Sequence, residues 1–306
     1  MRSRQTFQQL IATNKRNSFI LIFGMFLLLF AIGAVFGGTY GSYEAGLVIA
    51  GITAIVVFLF AWFAGSGTLM AISGAHEIQK ADDPQLFNVV EEMAIAAGVP
   101  TPKIYVIQTD ALNAFATGVD PAHAAVAITD GLRHKLNREE LQGVIAHEIG
   151  HIRNFDIRYT MLMAVTAGAI VLLADVFLRS SLYTAGSRRR SSNKNDGAGQ
   201  AILLIVGILL AILAPLITAL IQMAMSRQRE YLADASAVEF TRNPDGLANA
   251  LALLGSDQTP YKASRAVAPL YIVNPELKLR SGKESMFATH PPITERIKRL
   301  RELAGA

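Results

Sequence analysis

Three residues in the stretch LQGVIAHEIGHIRNFD, Leu141 to Asp156, have the types and spacing for metal-dependent hydrolysis: His147, Glu148 and His151. Residues four apart share one face of an α-helix, so His147 and His151 aim two imidazole nitrogens at one point with Glu148 beside it. A catalytic zinc takes three protein ligands and leaves its fourth position to water, whose pKa falls to about 7, while an adjacent carboxylate acts as general base. HExxH also arises by chance on ordinary helices. The flanks weigh against that here: GVIAHEIGHI carries no charge outside the motif, and charge on an otherwise apolar helix is costly unless paired or metal-bound.

Such a site needs a third ligand. In MSRQREYLADASAVEF, Glu230 and Asp234 again lie four apart on an expected helix. Glu230 reads as the ligand and Asp234 as the acceptor of the outward N–H of a ligand histidine, the contact that orients a ring and raises its basicity. Taken alone, the pair reads more readily as solvated charges beside Arg227 and Arg229, and His147 and His151 reverse that balance. Cysteine is absent, which excludes thiolate metal sites and disulfides.

The elements that must position these groups follow from periodicity. Asn137 is an expected N-cap for the HExxH helix, with Glu139 and Glu140 favourably placed in its first turn. Upstream, Leu86, Val89, Val90, Met93 and Ala97 mark an amphipathic helix ended by Gly98 and Pro100. KIYVIQ reads as a strand, HAAVAITDGL as a second strand passing into a turn at Asp130-Gly131, and TDALNAFATGVD between them as a strand edge or loop. The last helix, PPITERIKRLREL, places Ile293, Ile297, Leu300 and Leu303 on one face.

Composition adds a membrane. The 306 residues are 52% hydrophobic and 17% charged, too apolar for an ordinary soluble chain. Asn17–Tyr43 and Ala45–Ala75 are uncharged but for Glu44 between them, and each exceeds the roughly 20 apolar residues that cross a bilayer. They read as a retained hairpin rather than a secretory signal. Arg2, Arg4, Lys15 and Arg16 precede it, which puts the N-terminus and everything from His76 onward on the cytoplasmic side. The net charge of +4 carries no dense basic stripe, so no nucleic-acid partner is expected.

Two more apolar stretches, Tyr159–Leu178 and Gly197–Ser226, separate His151 from Glu230 and so must leave and return on the same side. The first is borderline for a span and the second ample. A full crossing would put Arg179, Arg188, Arg189, Arg190 and Lys194 outside, against the positive-inside rule. A re-entrant hairpin, helices packed on the domain, or orientation dictated by the first hairpin would each resolve this. The resulting division is residues 1–75 for the first hairpin, 76–158 and 227–306 for a divided catalytic domain, and 159–226 for the second apolar hairpin.

In chain order, the leading hairpin, GVPTPKIYVIQTDALNAFATG, VIAHEIGHIRNFD, SRQREYLADASAVEF and FATHPPITERI resemble the HtpX-type membrane zinc metalloproteases, relatives of the CAAX prenyl endopeptidases in the gluzincin group. The resemblance implies a mainly α integral membrane protein with a cytoplasmic α+β zincin-like domain and a small sheet. It implies one zinc per chain on His147, His151 and Glu230, Glu148 as base, and His290 as a donor to the developing oxyanion. The other reading of His290 is a helix-entry residue before Pro291. Asn113 and Ala114 resemble the edge that holds the substrate main chain, and Asp156 fits the family pattern with a structural role. The implied activity is endoproteolysis of misfolded or damaged membrane proteins at the bacterial inner membrane, in contact with lipid. A narrow processing endopeptidase shares this chemistry. A catalytically silent scaffold would tolerate loss of Glu148, and a transporter would need more ionisable groups in its spans than Asp175.

Overall fold

The computed structural model describes residues 7–187, 197–261, 263, 267–273 and 291–304. The first apolar run forms α1 (Phe7–Thr39) and the second breaks into α2 (Tyr43–Phe63) and a short α3 (Gly65–Ile72). Within these, Lys15–Thr39 and Tyr43–Phe63 are long and apolar enough to cross a membrane. Phe19, Phe23, Val48, Ile52 and Phe63 stay exposed, as side chains meant for hydrocarbon do.

The soluble elements begin with β1 (Ala75–Glu77) and α4 (Pro84–Ala97). The Asp83 side chain caps α4 by accepting from Leu86 N–H, and Pro84 starts it where no N–H is needed. β2 (Lys103–Ile107), β3 (Ala114–Gly118) and β4 (Ala124–Thr129) complete a sheet of order β1-β2-β4-β3. β2 runs parallel to β4, and the two outer strands are antiparallel to their neighbours. Both faces are covered. Ile104, Val106, Ala114, Val126 and Ile128 join one core cluster, whereas Ile107, Phe115, Ala125 and Ala127 join another with Leu69, Met161 and Tyr271. Burial on both sides is why β4 reads as a continuous apolar run rather than an alternating one.

The expected turn at Asp130-Gly131 is instead the start of a helix, α5 (Asp130–Lys135). A Cβ on Gly131 would stand 2.0 Å from Asp110 O, so glycine is there to let two backbones meet. α6 (Arg138–Arg153) carries the HExxH residues and opens with a full capping box, Asn137 with Glu140. α7 (Asp156–Ser187) and α8 (Gly197–Thr241) hold the later apolar stretches. Asp156–Arg179 in α7 has the length and hydropathy of a span; among the described residues of α8 only the shorter Leu204–Thr218 is comparably apolar. α9 (Pro244–Ser256) and α10 (Ile293–Ala304) follow.

The chain divides into two compact units. One combines Phe63–Met161 and Met223–Ala306 with Met1–Ser18; the other combines Phe19–Trp62 and Leu162–Gln222. In the first, α6 lies against α4 and α9, where a Cβ on Gly143 would come within 2.6 Å of Leu247 N. On α10, Ile293, Ile297 and Leu300 meet the core as expected, but Leu303 is exposed. The apolar face turns over before the helix ends, and Arg296 occupies the buried stripe instead.

Candidate metal centre

α6 delivers His147, Glu148 and His151 and α8 delivers Glu230, all to one buried spot. His147 Nε2 and His151 Nε2 are 3.2 Å apart. Glu230 oxygens lie 3.6 Å from the first and 3.5 Å from the second. Ligand atoms about 2.1 Å from a tetrahedral zinc are separated by roughly 3.3 Å. A different Glu230 oxygen meets each histidine, and one ligand atom from each of the three residues lies within 4.8 Å of the others; their chemistry, two imidazoles and a carboxylate, suits zinc.

The outward nitrogens fix which ring atoms face inward. His147 Nδ1 is 3.0 Å from Asp234 Oδ1, as expected for the carboxylate that orients a ligand ring. His151 Nδ1 is 3.1 Å from Asp156 Oδ2. A proton held on each Nδ1 leaves both Nε2 lone pairs for a metal.

Arg296 was not visible in the sequence as part of this site. Fully buried, it donates from Nε and Nη2 to the two oxygens of Asp234 at 2.9 and 2.7 Å, and its Nη1 lies 3.1 Å from Glu230 Oε2. One signal existed: Arg296 stands three residues after Ile293 and four before Leu300, on the stripe that a helix buries. Arg229, offered above as a solvated charge, is buried too, with Nε 3.3 Å from Asp156 Oδ1.

Burial pushes the Glu148 carboxyl up, outweighing the nearby His147 and His151, as a group poised to take a proton requires. Burial alone would push the His151 imidazolium down, but its hydrogen bonds with Asp156 and Glu230 prevail and raise it to about 10 in the metal-free protein. Burial would also raise Asp234, yet Arg296 and His147 hold it below the ordinary carboxylate range.

Asn113 and Ala114 lie at the start of β3, on the outer edge of the sheet. Part of that edge is taken by the chain itself. Ile272 N–H donates to Ala114 O at 3.0 Å, Asn113 Nδ2 donates to Val273 O at 2.7 Å, and Val273 N–H donates to Asn113 Oδ1 at 3.3 Å. His290 lies outside the described residues.

The sequence pattern of peptidase family M48 matches residues 80–304, which includes every one of these groups. The chain belongs to peptidase family M48. A Protease HtpX homolog from Thermoanaerobacter pseudethanolicus is 47% identical over 306 residues, covering 98% of this chain and 99% of that one. Another from Streptococcus uberis is 45% identical over 297 residues, covering 96% and 99%. Among solved structures, Ste24p from S. mikatae is 21% identical with a TM-score of 0.46, covering 95% of this chain and 66% of that one. As an M48 peptidase with, among the described residues, three helices apolar enough to cross a membrane, the protein is a membrane metalloprotease.

Proposed function

We propose that the protein is a zinc-dependent endopeptidase of the bacterial cytoplasmic membrane that hydrolyses misfolded or damaged membrane proteins on the cytoplasmic side. What carries the metal reading is the convergence of His147, His151 and Glu230, with one ligand atom from each within 4.8 Å of the others. A bound zinc would supply Lewis acidity, acidifying a water and polarising the scissile carbonyl.

The chain's own groups supply the rest. Glu148, buried and raised, accepts the proton of the attacking water as its oxygen adds to the carbonyl carbon. The same carboxyl then hands that proton to the amide nitrogen as the C–N bond breaks. Asp234 and Arg296 keep His147 in the correct tautomer. His290 is assigned the donor to the oxyanion, on the family resemblance. Asn113 and Ala114 are assigned the substrate main chain, because an edge strand binds an extended peptide through backbone bonds with little demand on side chains. Loose selectivity of that kind supports a quality-control role. Residues 1–75 and 159–226 would anchor the enzyme, with the catalytic domain formed by 76–158 and 227–306.

The test is cleavage of unfolded casein by detergent-purified, zinc-loaded enzyme beside Glu148→Gln prepared identically. The variant should keep its zinc and lose activity by about 10²- to 10⁴-fold, the usual worth of a positioned base. Equal activity in both, insensitive to chelator, would overturn the assignment.

A further inference from the structure

The two histidines of the centre are backed in parallel ways. His147 leans on Asp234, and Asp234 is clamped by the buried Arg296. His151 leans on Asp156, and the other oxygen of Asp156 faces the buried Arg229. From this repetition we infer that Asp156 and Arg229 are a positioning pair for His151, fixing the tautomer and tilt with which that ring meets a metal. The inference rests on the metal-site reading above and extends it to residues outside the ligand set.

Local geometry is arranged for this contact. α6 ends at Arg153, and Phe155 adopts a left-handed backbone, φ 61°, uncommon for an aromatic residue. That turn brings Asp156, the first residue of α7, back onto a ring five positions earlier. The Phe155 ring is gripped by Lys15 and Arg158, whose charges lie 4.9 and 5.2 Å from its centre. Arg229 immediately precedes the ligand Glu230, so one turn of α8 presents both the third ligand and the cation that steadies the second ligand's partner. The guanidinium reaches Thr160 Oγ1 at 3.4 Å and lies over Tyr159, both in the first turns of α7. Asp156 and Arg229 are 3% and 5% exposed. Taking two charges that far from water is costly, and a helix start needs only a neutral cap, so capping alone does not account for them.

The discriminating variant is Asp156→Asn in the full-length protein, because asparagine keeps the size while removing the charge that would make His151 a better ligand. Zinc affinity is read by competition with a chromogenic chelator, and unfolding of the metal-free protein is followed alongside. The expected result is zinc binding weakened about 10- to 100-fold, the usual cost of losing such a partner, with metal-free unfolding close to that of the parent. Arg229→Lys, which keeps the charge but not the planar fork, should weaken zinc in the same direction by less. It also decides the matter should Asp156→Asn not fold. Asp234→Asn provides the scale. Unchanged zinc affinity in folded Asp156→Asn and Arg229→Lys, with zinc lost in His147→Ala, would overturn the positioning pair and leave the metal centre standing. Zinc retained by His147→Ala would overturn both.

Discussion

In the proposed metal site, protons and metal would compete for one atom at His151. With its pKa at about 10 in the metal-free protein against 6.5 when unfolded, the ring contributes stability that is fully present below about pH 6.5 and lost as pH rises through about 10. Metal-free protein should therefore unfold at progressively lower temperature across that window, and His151→Gln should flatten the slope; an unchanged slope would remove His151 as its source. Arg296 makes a different demand. It stands between Asp234 and Glu230 with no exposure, so Arg296→Met leaves two buried carboxylates facing each other. The expected loss is about 3 to 5 kcal/mol in denaturant unfolding of the metal-free protein, the usual cost of breaking a buried pair. A loss under about 1 kcal/mol would mean that solvent reaches the site. The sequence marked the candidate ligands more readily than these arginines for a physical reason. HExxH and the later Glu-Asp pair announce themselves by spacing, whereas an arginine is called solvated by default and shows its burial only when a partner from another element arrives.

α6 is held by shape as well as by polar contacts. Gly143 lets α9 approach so closely that a Cβ would sit 2.6 Å from backbone, where nothing flexible can give way. Gly143→Ala should therefore cost about 1 to 3 kcal/mol in thermal or denaturant unfolding despite alanine's better helix propensity. Net stabilisation would show that the two helices can separate freely. Helices and strands with regular apolar spacing were legible in the sequence: α4, α6, β2 and β4 lie where periodicity and caps put them. Asp130-Gly131 misled because glycine marks turns more often than crossings, and here it marks a crossing. Leu303 misled because the apolar stripe runs on in sequence to a position that the fold leaves exposed.

Across the whole chain, one compact unit unites Phe63–Met161 with Met223–Ala306, on either side of a long apolar excursion. The edge at Asn113 and Ala114 carries a further consequence. Ile272 and Val273 already make main-chain and amide bonds there, so under the proposed function a peptide adding to that edge would bind by exchange against a tethered rival present at high effective concentration. Apparent affinity is then reduced by the fraction of molecules in which the rival is docked. Ile272→Pro removes the N–H that Ala114 accepts, and Tyr271 before it, at φ −66° and ψ 143°, already has a backbone that tolerates a following proline. The variant should lower KM for extended peptides several-fold at unchanged kcat, whereas a higher KM would make the segment part of the platform instead. An enzyme built this way would be quiet toward chance encounters and responsive to long unfolded chains, whose many extended registers outcompete a single internal one.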